Sequence, residues 1–288
     1  MALPCISLAR GGASRHRTTM KQDIAFIGFG EAALAFAEAA KWAGRASAWD
    51  VDPKRAEAMA SCAVDCAADA ADALAQARMA LSLVTAGQAL AAVREYAKYI
   101  VPGTIWCDMN SVAPETKLAA AEIVEAAGGW YVDVAVMAPV HPARTTVPLL
   151  VSGKAAQDAA QRLATLGFTN IRIVGKDIGR ASAIKMIRSV LVKGLEALTD
   201  EMMAAADAAG VTGEVLASLD TSEKTMPWAE RAAYNLERMQ THGLRRAAEM
   251  EESAKTLRSL GVEPVMTDGT VRRQRDAARP RTSMKDAA

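Results

Sequence analysis

No stretch of this sequence comes near the ~20 consecutive apolar residues that a membrane-crossing helix needs, although 51% of its 288 residues are hydrophobic. That apolar content is available for a buried core, and no membrane partner is expected. Cysteine is scarce, with only Cys5, Cys62, Cys66 and Cys107. Cys62 and Cys66 lie four apart without a second Cys or His pair to complete a zinc set, so no metal site is expected. Cys107 stands in an apolar run and reads as core. Nothing resembles a disulfide scaffold, which makes a reducing cytoplasm the expected compartment. No repeat of 20 to 50 residues is present, which excludes solenoid architectures.

A large excess of either charge is missing too, because the net charge is only +1. The balance is nevertheless uneven. The first twenty residues carry +3 and the last twenty +4, leaving −6 on the body between them. Nucleic acid is not expected as a partner, since binding it requires a basic surface. Arg10, Arg15 and Arg17, with no acid nearby, fit either a targeting peptide or a loose extension ahead of Met20. The extension is the simpler reading, and residues 1–20 and 269–288 are taken as disordered tails, the second of them basic.

Between the tails, short apolar runs alternate with helical stretches. Strands are expected at 24–28, 46–49, 79–84, 104–108, 130–137, 148–153 and 170–175. Helices are expected between most of them, and such alternation implies parallel βαβ units around a sheet covered on both faces. From about Ala181 to Leu260 the pattern is helical with almost no strand signal. The expected fold class is α/β: an N-terminal Rossmann-type domain (21–178) followed by an all-α C-terminal domain (179–268). A long helix of about 181–208 joins them.

The glycine loop carries the first chemistry. Gly28-Phe29-Gly30-Glu31-Ala32-Ala33 reads GxGxxA between a strand and a helix. The first glycine permits a tight turn, the second a close backbone approach to pyrophosphate, and the small third residue helix-on-strand packing. Asp50 follows 22 residues after Gly28, close to the ~20 expected for the acid that bonds the adenosine ribose. The plainer alternative is a tight turn and a solvated aspartate. A carboxylate at this position repels a 2′-phosphate, which favours NAD, whereas Lys54 and Arg55 just beyond it suit NADP.

With these motifs in order, the stretch from about Asp23 to Gly269 resembles the β-hydroxyacid dehydrogenase family, which includes 3-hydroxyisobutyrate and 6-phosphogluconate dehydrogenases. Its C-terminal part looks like a branch with an uncharacterised helical domain. Besides the glycine loop, three stretches carry the resemblance. In LSLVTAG (81–87), the resemblance brings Val84 and Thr85 near the nicotinamide. Asp108-Met109-Asn110-Ser111-Val112-Ala113-Pro114 resembles the D-x-S-T-x-x-P substrate signature, which implies that Asn110 and Ser111 bind substrate. The run from Gly179 to Ser189 resembles G-x-x-x-K-x-x-x-N, which makes Lys185 the catalytic residue and puts Ser189, as a substrate-binding residue, at the position of the family's substrate-binding asparagine. The family also implies a homodimer through the helical domain.

Several positions depart from the pattern. Asn110 stands for serine, Ser111 for threonine and Ser189 for asparagine. VDVAVMAPV (132–140) replaces a D-x-P-V-S-G-G run whose backbone holds the substrate carboxylate. Met137, Ala138 and Pro139 cannot offer the same N–H groups, proline having none. The lysine is retained, so the expected activity is hydride transfer between nicotinamide and a small hydroxy or oxo acid.

Moving a hydride to or from a C–O centre also moves a proton on the oxygen, and a lysine can serve as that acid or base. Ser182, Lys185, Ser189, Lys193 and Glu196 share one helical face, which read alone is an ordinary solvated stripe. The resemblance singles out Lys185 and leaves Lys193 a weaker second candidate. Asn110 and Ser111 follow a strand end, where open α/β sheets bind ligands, but helix capping ahead of Pro114 is the competing use. His141 is a loop residue that could touch substrate or simply face solvent. An imine reductase and a non-catalytic dinucleotide-binding protein remain alternatives on the same fold.

Overall fold

The computed structural model describes residues 23–40, 42–222 and 226–278. The tail expected at 1–20, and residues 279–288, lie outside them. The chain divides into two compact units at Arg188/Ser189.

Alternation along the first strand, β1 (Ile24–Ile27), sets up the first unit. Ile24 and Phe26 face one apolar cluster, while Ala25 and Ile27 face another, and all four are buried. A strand with both faces covered is the signature of a central parallel strand. Following it are α1 (Glu31–Ala40), β2 (Ala46–Trp49), α2 (Arg55–Ser61), β3 (Asp65–Cys66), α3 (Ala70–Leu74) and β4 (Met79–Ser82). The chain continues through α4 (Ala89–Tyr96), β5 (Ile105–Asp108), α5 (Pro114–Ala126) and β6 (Trp130–Val136). The unit closes with β7 (Leu149–Ser152), α6 (Ala156–Thr165) and β8 (Ile171–Gly175).

The eight strands form one sheet in the order β3-β2-β1-β4-β5-β6-β7-β8. The order reverses between β1 and β4, and ligands bind outside the strand ends at such a switch point. On one face Phe26 stacks on Trp42 with ring centroids 5.4 Å apart, and Phe36 meets Phe168 edge-on at 5.0 Å. Trp42 Nε1 donates to the Leu166 carbonyl, which ties this cluster to the end of α6. The other face buries Trp106, Tyr131, Leu74 and Val93.

Several expectations need correction. The sheet is not parallel throughout, because β7 runs antiparallel to β6. Segment 137–148 contains only a 3-10 turn, Arg144–Thr146, rather than the packed helix a parallel crossover needs, so the chain doubles back. The second correction concerns the division between units, which falls inside helix α7 (Arg180–Ala208) and not at its start. The first turn of α7 is hydrogen-bonded to the sheet, so it belongs with the strands.

The second unit contains the later turns of α7, then α8 (Thr212–Ser222), α9 (Trp228–Ser259) and α10 (Val265–Ala277). Residues 269–277, placed in the basic tail on sequence, are helical here. Thr267, Val271 and Gln274 turn inward from α10. Gly243 on α9 lets the two helices approach, since any Cβ there would collide with the Gln274 carbonyl. No helix among the described residues is long and apolar enough to cross a membrane.

Glu201 of α7 anchors the start of α10. Its carboxylate accepts the N–H groups of Met266 (2.6 Å) and Thr267 (2.9 Å) and the Thr267 hydroxyl (2.6 Å). Burial by itself raises its pKa, but these hydrogen bonds outweigh burial and hold the carboxyl below the usual carboxylate range. A depressed pKa means stability that is complete above the unfolded-state value of about 4.3 and is lost as pH falls through the folded value. Glu201→Ala should therefore lower the stability of the helical unit by about 2–3 kcal/mol at pH 7. The gap to wild type should narrow below about pH 4, as measured by denaturant unfolding at both pH values.

Candidate functional site

The glycine loop lies at the β1/β4 switch point. Gly28 has φ +89°, and a Cβ there would fall 2.7 Å from the Leu83 carbonyl oxygen and 2.9 Å from Val84 Cγ1. Both conformation and space demand glycine at this position. Gly30, in contrast, has nothing within 4 Å of a Cβ. Glu31 opens α1, so the first-turn N–H groups there have no carbonyl partner inside the helix. The Asp50 carboxylate holds the loop: Oδ2 accepts Phe29 N–H at 2.6 Å and Oδ1 accepts Asp52 N–H at 2.8 Å. The Phe29 side chain is buried edge-on to Phe26, so only its backbone faces the loop. Lys54 and Arg55 are exposed beyond Asp50, with Arg55 3.8 Å from Asp52. Val84 packs at Gly28, and Thr85 is exposed after β4.

The C-terminal ends of β4 and β5 place the next group. Asn110 is buried, donates its N–H to Asp108 Oδ1 at 2.9 Å, and donates Nδ2 to Ser82 Oγ at 3.0 Å. Its side-chain oxygen is buried without a hydrogen-bond partner. Ser111 is exposed and accepts a hydrogen bond from Lys185 Nζ at 2.6 Å. Residues 74 apart in sequence thus meet at the strand edge. Neither Asn110 nor Ser111 caps α5, whose N-cap is Ala113 without a side-chain bond.

Beneath this pair lies an ionic cluster. Lys117, fully buried on α5, donates to the Asp108 carbonyl (2.7 Å) and Oδ1 (2.9 Å) and lies 3.5 Å from Asp133 Oδ1. Tyr131 donates its hydroxyl to Asp108 Oδ2 at 2.6 Å. Burial and the neighbouring Asp108 raise the Tyr131 pKa, which keeps the phenol protonated. Burial, with Asp108 beside it, also pushes the Cys107 thiol up to about 12, in keeping with a core role. Asp133 Oδ2 accepts Ser182 N–H at 2.9 Å, and Ser152 Oγ accepts Ala181 N–H at 3.0 Å. These bonds seat the first turn of α7 on β6 and β7.

His141 is exposed in the loop after β6. Met137 N–H is engaged by the Pro148 carbonyl at 2.9 Å and is thereby withdrawn from any carboxylate cradle. Ser189 follows Lys185 by one helical turn and begins the second unit. The side chains of Lys193 and Glu196 lie outside the described residues. No group of three His, Cys, Asp or Glu residues among the described ones could hold a metal ion.

A family model described as the NAD binding domain of 6-phosphogluconate dehydrogenase matches residues 23–170. The chain belongs to this family. A second model, a domain of unknown function, matches residues 206–277. A conserved hypothetical protein from Sinorhizobium meliloti is 36% identical and superimposes with a TM-score of 0.60, covering 93% of this chain and 92% of that one. Another conserved protein, described as structurally similar to 3-hydroxyacid dehydrogenases, is 31% identical at a TM-score of 0.59, covering 88% and 96%. An imine reductase from Myxococcus stipitatus in complex with NADP+ shares the fold at 20% identity and a TM-score of 0.72, covering 88% and 93%.

The residues of this 6-phosphogluconate-dehydrogenase-type NAD-binding domain fit a dinucleotide. The open face at Gly30 is what a Cβ would fill, and it adjoins the electropositive start of α1. The network of Lys117, Asp133, Ser152 and Ser82 has little signal in the sequence. One signal was present: Lys117, Ala120, Ala121 and Val124 follow i, i+3, i+4, i+7 spacing, which puts a lysine on the core face of a helix.

Gly28→Ala should cost about 1–3 kcal/mol of stability, because it forces a strained backbone against Leu83. Gly30→Ala should leave the thermal midpoint unchanged and weaken NADH binding at least about tenfold, or about 1.4 kcal/mol. Thermal unfolding and fluorescence titration of both variants check this pair.

Proposed function

We propose that the protein is an NAD(P)-dependent oxidoreductase acting on the CH–OH or C=O group of a small hydroxy or oxo acid. The observation that carries this reading is the 2.6 Å contact of Lys185 Nζ with Ser111 Oγ at the C-terminal edge of β5. Bound nicotinamide supplies the hydride acceptor or donor. Lys185 takes the hydroxyl proton when substrate is oxidised and returns it when the oxo form is reduced. Ser111 orients the amine and the substrate oxygen, and the unpartnered oxygen of Asn110 offers a further acceptor at the same edge. Val84, Thr85 and the glycine loop (Gly28 to Ala32) bind cofactor, Asp50 favours NAD, and Lys54 with Arg55 are the residues that would accept NADP.

An imine substrate is the second reading. It is favoured by the engagement of Met137 N–H, which leaves loop 137–139 without the carboxylate cradle of hydroxyacid enzymes. A panel of oxo acids and cyclic imines separates the two: turnover of imines alone would establish the second. Cys62, Cys66 and Cys107 form no disulfide among the described residues, which suits a cytoplasmic location. A homodimer through the helical unit belongs to the same reading. Leu195, Leu198, Leu216 and Leu219 are 41–54% exposed around a cavity of about 1330 Å³ in that unit, and burying such surface drives association.

Lys185→Ala should retain cofactor affinity and lose turnover by at least about two orders of magnitude. Near wild-type turnover in that variant removes Lys185 from the mechanism. Light scattering should give twice the 30.4 kDa chain mass, and a monomeric mass refutes the dimer.

A further inference from the structure

We propose that Lys117 is a positioning residue whose ammonium ties together the two supports of the Lys185–Ser111 pair; this rests on reading that pair as the reacting groups. Ser111 lies in the segment leaving β5. Asp108 shapes that segment by accepting Asn110 N–H, and Tyr131 and Lys117 hold Asp108 in turn. Lys185 rides on the first turns of α7, whose start is fixed by Asp133 through Ser182 N–H and by Ser152 through Ala181 N–H. Lys117 is the charged group that touches both carboxylates, at 2.9 Å and 3.5 Å. A Cβ on Gly179, just before α7, would fall 3.1 Å from Pro114 Cβ at the start of the Lys117 helix, so the chain entering α7 passes close to that helix.

Stability alone is a poor reason for such a cluster. Lys117, Asp108 and Asp133 are each at most 1% exposed, and one cation faces two carboxylates. Buried ion pairs are frequently no more stabilising than apolar residues of similar size. What the cluster does provide is direction. Asp133 Oδ1 has no hydrogen bond of its own, and Lys117 is the cation beside it. That attraction holds the carboxylate so that Oδ2 faces the α7 amide. A displacement of about 1 Å between reacting groups can cost on the order of 100-fold in rate.

The test compares Lys117→Met with the double variant Lys117→Met/Asp133→Asn, which restores the original net charge of the cluster without the tie. The single variant leaves two buried carboxylates facing each other and is expected to be destabilised. The double variant should recover the thermal midpoint while its kcat stays roughly 10–100-fold low, with KM and cofactor affinity within about twofold of wild type. Recovery of kcat together with stability would show that Lys117 only balances charge, and would overturn the proposal. Hydrogen exchange supplies a readout independent of turnover. Amides at 108–111 and 180–186 should exchange at least about tenfold faster in the double variant, while β1 and β4 stay protected. Unchanged protection at both segments also overturns it. If the wild-type protein reduces no oxo acid or imine, the Lys185 reading fails, and the exchange result still decides the role of Lys117.

Discussion

The Asp133 carboxylate accepts the amide of Ser182, and much of the geometry follows from that bond. It seats the start of a 29-residue helix against the middle of β6. The side chain one turn later, Lys185, then reaches a serine on a different strand end. A helix start has N–H groups without internal partners, and burying them without acceptors is costly. Ser152 and Asp133 supply acceptors from β7 and β6, so the same two residues satisfy the helix and aim it.

The first unit is built to present these edges. β1 is apolar on both faces, which forces helices onto both sides and makes β1 a central strand. The switch between β1 and β4 then follows from the strand order, and the glycine loop lies at that switch. Gly28 is fixed by sterics against Leu83, whereas Gly30 is unconstrained by the protein itself. Glycine at Gly30 therefore has a reason only if something else approaches the backbone there. Membership of a 6-phosphogluconate-dehydrogenase-type NAD-binding family supplies that something.

Much of this was legible in the residues. Strand β1, the loop and Asp50 follow from local patterns whose periods and spacings are short. Lys185 and Ser111 were singled out separately, and their contact across 74 residues could not be read without the fold. The antiparallel β7 was missed because an apolar run of four residues reads the same in either direction. Direction is set by the connection, and segment 137–148 has no helix to carry a crossover. Residues 269–277 read as a tail because their arginines outweigh Val271 and Gln274 in composition. Burial at those positions depends on Gly243, far away in sequence, admitting the neighbouring helix. The Lys117 cluster was hidden for a related reason: a buried lysine makes sense only once its carboxylates are brought to it.

A crystal structure with bound reduced dinucleotide is the most direct measurement. The pyrophosphate should lie over Gly30 at the start of α1, with the nicotinamide ring beside Lys185 and Ser111. A dinucleotide bound elsewhere on the sheet, or a ring turned away from Lys185, would contradict both the proposed chemistry and the role proposed for the lysine.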